Sequence, residues 1–114
     1  MNWIELTDLE QVDQIIQQSL SKPQLVFKHS TRCSISSMVK DRLERQWKAS
    51  LDEFPIYYLD LIRYRSVSNF LSDTFGVIHE SPQLLIINDG KCLYDCSHSD
   101  ISVSAIEAII EKQS

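Results

Sequence analysis

The sequence has few residues that would interrupt a folded chain, with only two glycines and three prolines among 114 residues. It contains no flexible linker, no internal repeat and no low-complexity segment. This length suits one domain with a single modest core. We therefore expect residues 1–114 to form a single domain.

Other absences restrict the location and the partners. No apolar run approaches the roughly 20 residues of a membrane span, and "MNWIELTDLEQ" lacks the basic and apolar parts of a secretory signal. The sequence therefore predicts a cytoplasmic protein without membrane contact. Lys and Arg number 11 against 16 Asp and Glu, a net charge of -5. Since phosphate contacts need a basic face, we do not expect a nucleic-acid partner.

Strand-like and helix-like hydrophobic patterns alternate along the chain. The predicted elements are strands at 3–6, 24–28 and 54–62, helices at about 8–20, from 34 and at 66–76, a hairpin turning at Asn88-Asp89-Gly90, and a last helix capped by Ser102 or Ser104. The order β-α-β-α-β-α-β-β-α predicts an α/β fold with a mixed central sheet flanked by helices. Parallel strands need crossover helices, whereas the hairpin adds an antiparallel pair.

Two details of the helices can also be predicted. Thr7-Asp8-Leu9-Glu10 matches a capping box, with Thr7 as the cap of the first helix. The helix from Ser34 carries an apolar stripe that we expect to pack in the core. Its members are Ile35, Met38, Val39, Leu43, Trp47 and Leu51.

Cys33 stands where an apolar strand-like run meets the helix that begins near Ser34. Free N–H groups and the positive end of the helix dipole favour an anion there. Arg32 adds a cation, and the hydroxyls of Thr31, Ser34 and Ser36 are potential donors to the sulfur. This setting favours the nucleophilic thiolate. The alternative, a buried and unreactive cysteine, fits poorly with the polar neighbours on both sides.

Cys33 lacks a nearby thiol partner. In a Cys-x-x-Cys pair at a helix start, the second thiol attacks a mixed disulfide formed at the first. Here the positions three residues before and three residues after Cys33 are both serines, Ser30 and Ser36. A mixed disulfide on Cys33 must therefore be released by an external thiol or by a distant cysteine, which defines a monothiol mechanism.

The distant cysteines are Cys92 and Cys96, four residues apart on a predicted strand. We expect them to face one side of the sheet about 13 Å apart, at roughly 3.3 Å per residue. That is too far for a mutual disulfide, and an extended strand cannot close them with His98 around zinc. We expect packing roles and no metal, and a role as a resolving thiol stays open. None of the three histidines shows the spacing of a catalytic dyad. It stays open whether His29 and His98 lie near Cys33 and help to stabilise its thiolate.

Ser81-Pro82 follows the third predicted helix and precedes an apolar strand. With the order of elements and Cys33 at a helix start, this resembles the thioredoxin-like fold over essentially the whole chain. The resemblance implies one thioredoxin-like domain at residues 1–114. Proteins of this fold carry a cis-proline opposite the active cysteine. The resemblance therefore implies that Ser81 and Pro82 contact the substrate.

The segment 28–36, KHSTRCSIS, is similar to the YtxJ-type monothiol bacilliredoxins, whose signature is Thr-x-Cys-x-Ile-Ser. Ser34 stands where many members have proline, which should leave the helix start intact. The resemblance implies a thiol–disulfide oxidoreductase with Cys33 as the catalytic nucleophile. The other residues expected at the substrate site are Thr31, Arg32, Ser34 and Ser36.

The resemblance also implies a co-substrate, bacillithiol, the low-molecular-weight thiol that some bacteria use in place of glutathione. Cys33 would attack the mixed disulfide of a bacillithiolated protein, free the protein thiol and keep bacillithiol. Arg32 and Lys40 are candidates to attract the anionic end of this thiol. The expected partners are S-thiolated cytosolic proteins and the low-molecular-weight thiol; we expect a monomer without a bound cofactor.

Two other functions stay open at this point. An iron–sulfur carrier would resemble the monothiol glutaredoxins, in which one cysteine per subunit and an external thiol hold a cluster between two chains. Those proteins usually show Cys-Gly-Phe-Ser, and Ser34-Ile35 provides no glycine for close approach. A non-catalytic thioredoxin-like adaptor would use the loop at Pro82 to bind extended peptides.

Overall fold

The structure is a computed structural model that describes residues 1–113. Its elements are β1 (Trp3–Glu5), α1 (Leu9–Gln18), β2 (Gln24–His29), α2 (Ser34–Gln46), β3 (Ile56–Asp60), α3 (Arg65–Phe75), β4 (Gln83–Asn88), β5 (Lys91–Ser97) and α4 (Val103–Glu111), with 3-10 turns at Ala49–Leu51 and His98–Asp100. The predicted order and the α/β class are confirmed. No helix within residues 1–113 is long and apolar enough to cross a membrane.

The five strands form one mixed sheet in the order β1-β3-β2-β4-β5. β1 and β2 run parallel to β3, and β4 runs antiparallel to both β2 and β5. The register pairs Lys28 of β2 with Gln83 of β4. The end of β2 and the start of β4 therefore lie at the same edge of the sheet. Cys33 follows the one and Pro82 precedes the other, so we call this the Cys33 edge.

Two apolar cores cover the two faces of the sheet. One core contains Leu25 and Phe27 of β2 together with α2 and α4 residues, and the other contains Val26 together with α1 and α3 residues. Because successive strand residues point to opposite faces, a strand covered on both sides reads as a continuous apolar run. This explains why β2 and β4 are recognisable in the sequence.

The start of α2 is less buried than the sequence predicts. Ile35 is 51% exposed and Met38 is 69% exposed, so their assignment to the core is wrong. Val39 and Leu43 are buried as expected. The buried face of α2 runs through Ser36, Val39 and Leu43, and the helical repeat turns Met38 away from this face and leaves Ile35 at its border.

The helix caps agree with the sequence except at α1. Asp8 rather than Thr7 is the cap. Its Oδ1 accepts from the Gln11 N–H at 2.9 Å, and its own backbone N–H donates to Gln11 Oε1 at 3.3 Å. The predicted capping box is therefore wrong by one residue. Ser102 caps α4, and Gly76 ends α3 with a φ of +65°, which glycine adopts without strain.

A β-bulge in β5 separates the two distant cysteines. Cys96 pairs with Leu84 and Cys92 with Ile87, and the register shifts between Ile86 and Ile87. Cys96 packs against the core beneath α2 and α4, whereas Cys92 packs against the other core. The prediction that they share a face is wrong because the extra residue reverses the alternation. Burial raises the pKa of both thiols, that of Cys92 to about 11.

Lys28 is fully buried in β2. Burial lowers the pKa of Lys28 from 10.5 to about 8, because the cation loses its hydration. Between these values the unfolded chain holds a proton that the folded protein has released. Stability should therefore rise with pH across this interval.

We expect Lys28→Met to remove this dependence. The free energy of unfolding of the wild-type protein, relative to the variant, should rise by on the order of 3 kcal/mol between about pH 8 and pH 10.5. Urea unfolding at several pH values measures this difference. The thiols and phenols that titrate in the same range are present in both proteins, so their contributions cancel. Lys91→Met, at an exposed lysine, is the matched control and should show no such change. A difference that stays constant with pH would contradict the prediction.

Candidate active site

Several loops meet at the Cys33 edge. The turn at 30–33 follows β2, and the Leu61 N–H that follows β3 donates to the His29 carbonyl at 3.0 Å. The His98 N–H that follows β5 donates to the Pro82 carbonyl at 3.0 Å. The sheet register thus gathers residues that are far apart in the sequence around the start of α2.

Cys33 is the N-cap residue of α2 and is partly exposed. Its N–H donates to the Ser30 carbonyl at 3.2 Å, and its carbonyl accepts the Ser37 N–H at 3.1 Å. The backbone is therefore fixed on both sides, while the side chain makes no capping hydrogen bond. The Cys33 thiol is thus accessible from solvent beside the N–H groups at the start of α2.

Ser36 is fully buried, and its hydroxyl lies beneath the turn at 30–33 that carries Cys33. Its Oγ lies 2.7 Å from His29 Nδ1 and accepts the Ser30 N–H at 3.1 Å. The hydroxyl thus bridges the His29 ring and the Ser30 backbone. Burial first, and then Lys40, lower the pKa of His29, which favours its neutral form. The predicted substrate contact of Ser36 is corrected here, since its hydroxyl is enclosed and engaged.

His29 is a residue of the site that sequence patterns did not place. Its ring lies 5.4 Å from the Tyr58 ring and 6.0 Å from the Phe27 ring, measured between centroids. These contacts fix the imidazole on the α2 side of the sheet. The available signal was weak: a polar residue at the end of a strand with its side chain on the same face as Phe27.

The remaining predicted site residues surround Cys33 in different ways. Thr31, Arg32 and Ser34 are exposed. Ser81 is partly buried, and its Oγ is buried without a hydrogen-bond partner among residues 1–113. Pro82 is buried, and the Ser81–Pro82 peptide bond is cis. Contact of these five residues with a substrate remains a prediction.

The two cations considered for anion binding differ in availability. Lys40 Nζ lies 2.9 Å from Glu44 Oε2 and 5.6 Å from the ring centroids of Trp3 and Tyr58. Its charge is therefore already engaged. Within residues 1–113 no ion pair includes the exposed Arg32. Arg32 is consequently the better candidate to meet an anionic ligand.

Two further histidines lie on the segment before β4 and on the turn after β5. His98 Nε2 is 3.5 Å from Glu80 Oε2, and His79 Nδ1 is 3.5 Å from Lys28 Nζ. Neither forms a catalytic dyad with Cys33 among the hydrogen bonds of the described residues. In the same part of the chain, no group of three or more His, Cys, Asp or Glu side chains could hold a metal ion.

Comparisons with known proteins agree with this architecture. The family model described as monothiol bacilliredoxin BrxC matches residues 4–106. A solved structure described as a candidate oxidoreductase with a thioredoxin fold is 29% identical, with a TM-score of 0.81 over 94% of this chain and 92% of that one. The thioredoxin of Trypanosoma brucei brucei is 10% identical, with a TM-score of 0.77 over 98% and 90% of the two chains. That of Fasciola hepatica is 15% identical, with a TM-score of 0.73 over 96% and 98%. The fold is thus the thioredoxin fold, as the resemblance implied.

We expect Ser36→Ala to destabilise the protein by about 1–3 kcal/mol, because it leaves the Ser30 N–H and His29 Nδ1 without their partner. Thermal or urea unfolding measures the loss. Ser37→Ala, at the exposed neighbouring serine, is the matched control and should change stability by less than about 0.5 kcal/mol. Equal effects of the two substitutions would contradict the role of the Ser36 hydroxyl.

Proposed function

The chain belongs to the monothiol bacilliredoxin family, and from that premise we propose that it removes a low-molecular-weight thiol from mixed disulfides on proteins. The observation that carries the proposal is the geometry at the start of α2. Cys33 is partly exposed at the helix start, whereas the position of a resolving thiol is taken by the buried Ser36. The protein is thus a thiol–disulfide oxidoreductase with one reacting cysteine.

In the first step, the Cys33 thiolate attacks the sulfur of the low-molecular-weight thiol in the mixed disulfide. A bond forms between Cys33 Sγ and that sulfur, and the original disulfide bond breaks. The protein thiolate leaves and takes a proton from water. The free N–H groups of the first turn of α2 favour the attacking thiolate electrostatically.

In the second step, an external thiol regenerates Cys33. It attacks the sulfur carried by Cys33, so that a low-molecular-weight disulfide leaves and Cys33 is reduced. Cys92 and Cys96 are poor candidates for this step because burial raises the pKa of both. They also lie along β5, which joins the sheet through β4 and not beside β2.

We propose bacillithiol as the thiol that is removed, as the family description suggests, and S-thiolated cytosolic proteins as the substrates. Arg32 would meet the anionic part of that thiol, because it is exposed and outside every ion pair among residues 1–113. Thr31, Ser34, Ser81 and Pro82 would contact the substrate around the reacting sulfur. No specific observation favours the iron–sulfur carrier or the adaptor.

We expect Cys33→Ala to reduce the release of bacillithiol from a bacillithiolated protein to the uncatalysed rate. Cys92→Ala and Cys96→Ala are the matched controls and should change the rate by less than about threefold, because neither thiol takes part in the exchange. Mass spectrometry of the substrate over time measures all three. Turnover by Cys33→Ala would end the proposal, and full activity of Cys33→Ser in cells would favour the adaptor.

We expect Ser36→Cys to convert the protein to a dithiol mechanism. A thiol three residues after Cys33 lies within the Cα separation that a disulfide requires, about 4.4–6.8 Å. After one exchange the variant should release the bound thiol without an external thiol and hold an internal disulfide. Intact-mass measurement distinguishes this product from the mixed disulfide that the wild-type protein accumulates. A mixed disulfide that persists in the variant would contradict the expectation.

A further inference from the structure

The segment 77–82 joins α3 to β4 without forming helix or strand. It ends at Pro82, at the same sheet edge as the turn that carries Cys33. Val77 packs against the core beneath α1 and α3, and Pro82 is buried, so apolar packing holds the two ends of the segment. Ile78 between them is 84% exposed. The middle of the segment therefore depends on the polar contacts that reach it from the rest of the protein.

The side chain of Lys28, on β2, reaches both α3 and this segment. Its Nζ donates to the Ser68 carbonyl at 3.3 Å and to Ser72 Oγ at 3.0 Å, both in α3, and lies 3.5 Å from His79 Nδ1. The His79 nitrogen is also 3.4 Å from Ser68 Oγ. An ammonium group has three N–H donors, and here each faces one acceptor. Lys28 thus connects β2, α3 and the segment 77–82.

Gln83 supports the same segment from the neighbouring strand. It pairs with Lys28 in the register of β2 and β4, so both side chains lie on one face of the sheet. Gln83 is 1% exposed, and its Nε2 donates to the Ile78 carbonyl at 2.9 Å. Two buried polar side chains therefore stand side by side and bind consecutive residues of the segment.

The surroundings show that the Lys28 cation is not held by an ion pair. No salt bridge among residues 1–113 includes it. The charged and titratable groups near its partner His79 are Glu80 on the segment and Arg65 at the start of α3. Burial first, and then Lys28 and Arg65, lower the pKa of His79. The neutral ring can accept a hydrogen bond from Lys28 at neutral pH.

We propose that Lys28 is a positioning residue for the exchange reaction, because it holds the segment 77–82 against α3 beside Cys33. The inference rests on the proposed function in one respect: the substrate is a protein that must lie on this surface. Lys28 does not touch the reacting sulfur atoms. Its loss should therefore weaken the binding of a protein substrate and leave the chemistry of Cys33 nearly unchanged.

The test compares Lys28→Met with Lys91→Met, an exposed lysine at the opposite end of the sheet. We expect Lys28→Met to raise KM for a bacillithiolated protein about fivefold or more, with kcat changed less than about twofold. Alkylation of Cys33 by iodoacetamide, followed by site-resolved mass spectrometry, should match the wild type. Lys91→Met should match the wild type in every measurement.

Amide hydrogen exchange provides a readout that does not depend on the proposed function. Lys28→Met should exchange faster in residues 77–82 and no faster in the hairpin turn at 88–91.

Unchanged exchange in 77–82 would overturn the connection itself, and faster exchange with an unchanged KM would overturn its role in substrate binding. If no bacillithiolated protein is turned over, the proposed function fails while the exchange data still decide whether Lys28 holds the segment. His79→Leu removes only the acceptor on the exposed side. It should reproduce the faster exchange in 77–82 even if Lys28→Met does not fold.

Discussion

The antiparallel pairing of β2 with β4 is the constraint on which the candidate site depends. The pair Lys28 and Gln83 aligns the end of one strand with the start of the other. A nucleophile that follows β2 and a substrate segment that precedes β4 are consequently neighbours, although about fifty residues separate them in the sequence. A shift of one residue in this register would exchange the two faces of β4 and bury the wrong side chains.

The end of β2 places two polar side chains on opposite faces of the sheet. His29 points toward α2, where its Nδ1 is hydrogen-bonded with the Ser36 hydroxyl. Lys28 points toward α3, where it contacts the segment before Pro82. Buried polar groups destabilise a protein unless they are hydrogen-bonded, and both of these are. Their common location suggests that the two loops beside Cys33 are held by one pair of adjacent residues.

The serine at position 36 has both a chemical and a structural consequence. A serine cannot resolve a disulfide, so the chemistry must be completed from outside. The same hydroxyl binds His29 and the Ser30 N–H in the interior, which a thiol would do less well because sulfur is a weak acceptor. Ser36 therefore has a structural role of its own and is more than a missing resolving cysteine. It helps to hold the turn that presents Cys33.

The order of the elements, the helix start at Cys33 and the absence of a second nearby thiol were determined by the sequence alone. These features depend on local periodicity, on capping and on residue identity, and each of these can be recognised from a short stretch of sequence. The tertiary structure decided the rest. A bulge placed Cys92 and Cys96 on opposite faces of the sheet. α2 packed through Ser36, Val39 and Leu43 and left Met38 exposed. The packing of α3 and the segment 77–82 brought Lys28 to His79. Such contacts join residues distant in the chain, and no local pattern specifies them.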